Sequence, residues 1–370
     1  GSTYNAYLIL DESPTLIDTV KYCGAQDMLR EINGVMDPAD IRYIISNHAE
    51  MDHSGAIADL LEHCPKAEVV CSPKGEAVLR RHFKADWSFK QVRSGESLPI
   101  GRRELSFVTM PMVHWPESMS TYSAYDRILF PNDAFGQHYA SNERFADEVN
   151  PETVFQEAAK YYANIVLPYG AQVKKALEEL REFPLDRICP SHGLIWRDRE
   201  QVAGILEKYR QWAGNESDSA RALIVYDTMW GSTRMMAEKF KDLLAAEGFT
   251  VVARSLQEYH ISDVMTEVLT SRLMLVGTPI LNGRMLPTMA GFLMYLRGLI
   301  PKNRLAVTFG SYGWSKTGFN EVEQFVKDGG FTLAAESQYI QYVPGPEDLD
   351  QLSCVIPQIK ERLSEAGSAL

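Results

Sequence analysis

Residues 45–55 read ISNHAEMDHSG. Four titratable side chains, His48, Glu50, Asp52 and His53, crowd into six positions of that stretch. It follows an apolar run, IRYIIS, and precedes a helix-like one, SGAIADLLEHC, which makes it a turn at the end of a strand. Imidazole nitrogens and carboxylate oxygens converging on one point are the usual ligands of a first-row metal.

Working outward, three more candidates repeat the placement. His114 follows LSFVTMPMV, Asp133 follows RILFPN and His192 follows RICPS. Strand ends on one side of a sheet lie close in space although distant in sequence. A lone histidine after a strand is more often a surface or capping residue, and His63, His82 and His138 stay in that class. Acid and imidazole groups gathered at four separate strand ends form a metal constellation instead.

The 370 residues suit about two domains. A net charge of −12 argues against a broad nucleic-acid surface. No apolar run approaches the roughly 20 residues needed to span a bilayer, so no membrane segment is expected. The five cysteines are scattered, odd in number and lack a Cys-x-x-Cys pair, which points to a reducing, cytoplasmic setting. A small, polar break at GNESDS separates two patterned regions, giving domains at 1–213 and 221–370 with a linker at 214–220. Short β-rich runs mixed with helical stretches make the first an α/β layered domain. The second alternates strand and helix regularly, as a doubly wound parallel sheet does.

In that second half YDTMWGSTRMMAEKF runs from strand to helix through Thr228, Met229, Trp230, Gly231, Ser232 and Thr233. Hydroxyls, a glycine and free helix-start N–H groups make an anion site. There is neither a Gly-Lys-Ser/Thr ending nor a Gly-x-Gly-x-x-Gly turn, so a phosphate monoester suits it better than a triphosphate or dinucleotide. Two further loops follow strands, one with Pro279, Ile280, Leu281, Asn282 and Gly283, the other with Ser311, Tyr312, Gly313 and Trp314. Both can flank a flat ring where ligands of open α/β sheets bind. Taken singly, such loops can be simple N-caps, and Trp230 and Trp314 can be packing residues.

H-A-E-M-D-H with downstream His114, Asp133 and SHG resembles the metallo-β-lactamase fold, an αββα sandwich. Glu50 stands where that fold's usual motif has a second histidine. Carboxylate for imidazole makes the site harder and more anionic, which suits iron. With HWPESM and NDAFGQHY, nearly the whole chain is similar to the flavodiiron proteins, and its C-terminal half resembles flavodoxin.

The resemblance implies two irons, His48, Glu50 and His114 holding one, Asp52, His53 and His192 the other, with Asp133 bridging. Of these, His53 is the ligand that some members replace with water. It also implies FMN, its phosphate at Thr228–Thr233 and its isoalloxazine against the two later loops. Lys316 stands where many members have glycine. Members usually carry a further N-terminal segment before GSTYNAYLI, so a trimmed or unusual start is expected.

The expected activity is that of an oxidoreductase, reduction of O2 to water, of NO to N2O, or both, with Tyr162 a candidate proton source that also fits a core aromatic. Expected partners are a rubredoxin or equivalent donor and a second copy of the chain in a head-to-tail homodimer or a dimer of dimers. A zinc hydrolase with an accessory flavodoxin-like domain and a non-enzymatic electron carrier are the rival readings.

Overall fold

The computed structural model describes residues 1–367. Contacts divide it into two compact units, Gly1–Tyr162 with Tyr169–Gly214, and Ala163–Pro168 with the chain from Asn215 onward.

In the first unit the chain order is β1 (Tyr7–Ile9), β2 (Thr15–Ile17), α1 (Ala25–Asn33), β3 (Tyr43–Ile45), α2 (Met51–Ser54), α3 (Ile57–His63), β4 (Glu68–Cys71), α4 (Pro73–Phe83), β5 (Phe89–Gln91), β6 (Ser97–Pro99), β7 (Glu104–Thr109), β8 (Met119–Ser123), β9 (Ile128–Phe130), α5 (Pro151–Tyr161), α6 (Gly170–Leu180), β10 (Arg187–Ile188) and α7 (Arg199–Ala213). The strands form two sheets, β1-β2-β3-β4-β5 and β10-β9-β8-β7-β6. Strand periodicity sorts the core. Leu16, Ile44 and Val69 face α1, α3 and α4, while their neighbours Ile17, Ile45 and Val70 meet Leu105, Phe107, Met119 and Phe130 between the sheets. Each such side chain contributes about 1.5–3 kcal/mol on full burial. With α6 packed on β7 and α7 on α6, the layers are those of an αββα sandwich, as expected.

Three of the helices start where short polar residues take up free N–H groups. Ser72 accepts from Gly75 N ahead of Pro73 in α4, Asn150 caps α5 ahead of Pro151, and Asp198 accepts from Glu200 N and Gln201 N in α7.

The second unit contains β11 (Asp218–Tyr226), α8 (Ser232–Ala246), β12 (Thr250–Ser255), α9 (Ile261–Thr270), β13 (Ser271–Gly277), β14 (Ile280–Leu281), β15 (Arg284–Met285), α10 (Pro287–Leu299), β16 (Arg304–Tyr312), α11 (Phe319–Asp328), β17 (Phe331–Leu333), β18 (Gln338–Gln341), α12 (Pro346–Gln351) and α13 (Val355–Gly367). The sheet is parallel, in the order β12-β11-β13-β16, and β17 and β18 share the outer edge of β16. Its central strands are buried on both faces, hence the continuous apolar runs LIVY, LMLV and LAV. This is the doubly wound, flavodoxin-like sheet expected.

Three details differ from the sequence reading. The strand β11 begins at Asp218, inside the stretch read as linker, because Asp218 already pairs with Ser271. The stretch around Leu349 to Leu363, whose pattern reads as one last helix, is divided between α12 and α13, joined by a 3₁₀ turn at Leu352–Cys354. The loop at 279–283 contains a hairpin, β14–β15, turned by Asn282 and Gly283, both at positive φ (52° and 73°).

Candidate metal and flavin sites

All seven acid and imidazole groups come together in the first unit. They form two sets, one of His48, Glu50, His114 and Asp133 and one of Asp52, His53 and His192. In the first, His48 Nε2 and His114 Nε2 each lie 3.3 Å from Glu50 Oε2. The same two nitrogens are 3.5 and 3.1 Å from Asp133 Oδ2. In the second, His53 Nε2 is 3.4 Å from Asp52 Oδ1 and His192 Nε2 is 3.4 Å from Asp52 Oδ2. There it is Asp133 Oδ1 that approaches, at 3.0 and 3.2 Å. Asp133 therefore turns one oxygen to each set.

The loops are set by a buried polar knot that sequence reading missed. Asp18, at the end of β2, accepts from Asn47 N at 2.8 Å, and from Asn47 Nδ2, Asn132 Nδ2 and Ser191 Oγ at 3.2–3.4 Å. Asn47, Asn132 and Ser191 immediately precede His48, Asp133 and His192. Next to Asp18, Thr19 N and Oγ1 both donate to His53 O. One carboxylate at the end of β2 thus ties together residues at the ends of β3, β9 and β10.

Electrostatically the site calls for positive charge. Burial raises the Asp133 pKa, but His53 and the hydrogen bonds from His114 and His192 hold it well below the carboxylate range. Hydrogen bonds from His114 and His48 do the same to Glu50. Burial pulls His48 down, yet Glu117, Glu50 and Asp133 lift it to about 10. His114 reaches about 9 and His192 about 10, against burial, through Asp133 and their other carboxylate neighbours. Protonated imidazoles supply the balancing cations in the bare protein. Yet Asp52 Oδ1, Asp133 Oδ1 and both ring nitrogens of His53 are buried without a well-aligned hydrogen bond among the described residues, their close approaches notwithstanding. Orphaned donor atoms of mixed N and O chemistry, aimed at shared points, fit two hard-to-borderline metal ions.

Of the tyrosine pair in YYANIV, Tyr162 is not at the site. It is fully buried against Tyr209 and Trp212, in the core. Its neighbour Tyr161 lies there, its ring 4.8 Å from His138 and 6.0 Å from His192. Burial first and Asp133 second push its hydroxyl pKa well up. His138, which sequence left aside, stacks edge-on against His192 at 5.2 Å, and burial with that neighbour pulls it down to about 4. Adjacent aromatic residues on a helix give no sequence signal for which one faces the site.

In the second unit the three loops follow β11, β13 and β16, adjacent parallel strands, so they gather at one end of the sheet. Gly231, at φ 91°, ends the first loop and opens α8, whose first-turn N–H groups have no intrahelical partner. Its N–H donates to Thr228 Oγ1 at 3.0 Å, and Thr233 Oγ1 is 3.4 Å from Ser311 Oγ across to the third loop. Behind them Asp227, buried and unread in the sequence, accepts from Thr228 N and Gln257 Nε2, both at 2.7 Å, and from the Thr288 hydroxyl.

Gly310 keeps the loops close, since a Cβ there would lie 1.9 Å from Thr278 O. Met229 and Leu281 are exposed, while Trp230 and Trp314 are 93% and 90% exposed and so pack no core. Pro279, Asn282 and Gly313 lie on the same two later loops, with Ile280 in β14 and Tyr312 at the end of β16. An amide-and-hydroxyl nest beside bare aromatic surface fits a phosphate joined to a flat ring.

Both halves have known counterparts. Residues 3–193 match the ODP family of beta lactamases and residues 224–352 match flavodoxin. A nitric oxide reductase of Moorella thermoacetica is 39% identical over 369 residues, covering 99% of this chain and 92% of that protein. The solved structure of rubredoxin oxygen:oxidoreductase from Desulfovibrio gigas superposes with a TM-score of 0.95 at 36% identity, over 99% of this chain and 92% of the other. A flavodiiron protein from Giardia intestinalis gives 0.90 at 32%, over 99% and 90%. Matched in both units and over almost its full length, the chain belongs to the flavodiiron protein family.

Proposed function

We propose that this chain is an oxidoreductase that reduces O2 to water, NO to N2O, or both. Residues 1–213 hold two irons and residues 221–370 hold FMN. The observation that carries the reading is the division of Asp133, one carboxylate oxygen toward each ligand set, in a chain whose other half matches flavodoxin. His48, Glu50 and His114 hold one iron, Asp52, His53 and His192 the other, and Asp133 bridges them. When bound, FMN supplies electrons singly and the iron pair supplies the place where the diatomic gas is reduced.

The protein's own part is positioning. Asp133 keeps both metals on one substrate, and the Asp18 knot holds the loops that carry the ligands. Tyr161 retains its phenolic proton beside Asp133 at neutral pH. Thr228, Ser232, Thr233 and the first amides of α8 take the FMN phosphate. Pro279–Gly283 and Ser311–Trp314, with Met229 and Trp230, border its ring.

Full turnover consumes four electrons and four protons per O2, giving two waters, or two electrons and two protons per pair of NO, giving N2O and water. A rubredoxin-type protein is the donor, and a head-to-tail homodimer brings the FMN of one copy to the irons of the other. The five free cysteines support a cytoplasmic location. Among the described residues no helix is long and apolar enough to cross a membrane.

The test is anaerobic reduction of the purified protein with iron and FMN quantified, then O2 and NO electrode assays with a rubredoxin donor. Two irons and one FMN per chain with gas consumption are expected. Stoichiometric zinc with ester or phosphodiester hydrolysis, and no gas uptake, would overturn the reading.

A further inference from the structure

His48, His114 and His192 all turn Nε2 toward the carboxylates, but what stands behind the rings differs. His48 Nδ1 lies 2.7 Å from Glu117 Oε1, with both side chains buried. The same oxygen accepts Ala49 N–H at 3.1 Å, and Ser72 Oγ donates to the Glu117 carbonyl at 2.7 Å. The Trp115 ring closes the corner, edge-on to His48 at 5.1 Å. Behind His192 the partners are neutral, the Thr3 carbonyl 2.7 Å from Nδ1 and the Ser2 hydroxyl 3.4 Å from it. Behind His53 Nδ1 there is no hydrogen-bond partner among the described residues.

A carboxylate accepts the Nδ1 proton through a charge-assisted bond about twice as strong as a neutral one. That bond fixes the proton on Nδ1, frees the Nε2 lone pair and raises its basicity. The two ligand sets are otherwise balanced in charge, each with one carboxylate of its own, Glu50 or Asp52, and one oxygen of Asp133. Among the described residues Glu117 is the one carboxylate outside the two sets that is hydrogen-bonded to a ligand imidazole, and it stands on one side only.

We propose that Glu117 is a positioning residue that makes the two metal positions unequal. Acting through His48, it strengthens binding at the position of His48, Glu50 and His114 and makes the iron there the harder of the two to reduce. The inference rests on the diiron reading above.

It is tested with Glu117→Gln, which keeps the shape and a carbonyl acceptor while removing the charge. Ferrous iron is titrated anaerobically into the metal-free full chain. The two one-electron midpoint potentials of the loaded centre are then measured by mediated redox titration. The expected result is roughly a 10–100-fold loss of affinity at one of the two positions, up to loss of that single iron. Where both irons bind, the interval between the potentials narrows because the more negative one rises. The FMN potential is unchanged.

Equal weakening of both positions, or two irons with both potentials unmoved or shifted together, would overturn the proposal. Ser72→Ala removes the bond to the Glu117 carbonyl but leaves the charge, so an identical shift in that variant would reduce Glu117 to a structural role. If Glu117→Gln does not fold, Glu117→Asp, which withdraws the charge by one methylene, is measured in the same way and read by the same outcomes. A wild-type chain that binds no iron pair would instead sink the diiron reading.

Discussion

The two sites of this chain are built in opposite ways. The metal site is buried and its functional groups are charged side chains, held by a second layer of buried polar side chains. The flavin site is open at the end of a sheet, made of loop backbone, hydroxyls and two bare tryptophans. A site that concentrates carboxylates away from water must fix its geometry from behind, because each misplaced charge is costly there. A site that takes a large, flat ligand from solvent can leave its contact surface exposed and let the ligand cover it.

That contrast can be broken at its centre by Asp133→Ala. We expect loss of both irons and a fall in gas consumption of more than about 100-fold, beyond the cost of removing an outer partner, with FMN content unchanged. Iron analysis beside electrode assays checks this, and two irons with retained turnover would refute it.

Asp18→Ala should come next in size. It leaves Asn47 N–H and the Ser191 hydroxyl buried without their acceptor, at about 1–3 kcal/mol for each one left unpaired, while Asn47 Nδ2 and Asn132 Nδ2 keep Phe130 O and Ser191 Oγ. Urea unfolding of the first unit should shift accordingly, and an unshifted midpoint would mean that the knot holds nothing.

On the flavin side the effects should be smaller and of a different kind. Trp230→Ala and Trp314→Ala are expected to change stability by less than about 0.5 kcal/mol, yet to weaken FMN by about 1 kcal/mol each. Flavin fluorescence titration and thermal unfolding separate the two readouts. Reduced stability with unaltered FMN affinity would make these packing residues after all.

The smallest effect concerns pH. In the metal-free chain His48, His114 and His192 are raised to about 10, 9 and 10 from an ordinary 6.5. Folding therefore takes up protons at these rings. Their stabilising contribution is complete below about pH 6.5 and is lost as pH rises through 9 to 10. Metal-free protein should lose stability across that window and iron-loaded protein should not, because loading displaces the same protons. Denaturant midpoints from pH 6 to 10 with and without iron would show parallel curves if the idea is wrong.

What the sequence made legible follows the same divide. The candidate ligand residues could be read because His48, His114, Asp133 and His192 each follow an apolar strand by three to five residues, and the strand pattern itself announces where strands end. The parallel sheet could be read from buried runs such as LIVY. Asp18, Glu117 and Asp227 could not, since a single acidic residue beside a turn looks the same whether it is solvated or buried under four donors. Tyr161 and Tyr162 differ only in which way a helix is turned, and that depends on packing against residues far along the chain. The Asn-Gly turn at 282–283 had a local signal, but reading the segment as a ring-contacting loop hid the hairpin.

The knot around Asp18 has one further consequence. Its hydrogen bonds end on backbone and on residues that precede the ligands, so the frame and the ligand identities are inherited separately. The Glu50 side chain meets His48 and His114 rather than the knot, so histidine in its place would leave the same four strand ends as they are. A change of metal, and with it of chemistry, then needs only a substitution that the scaffold does not feel.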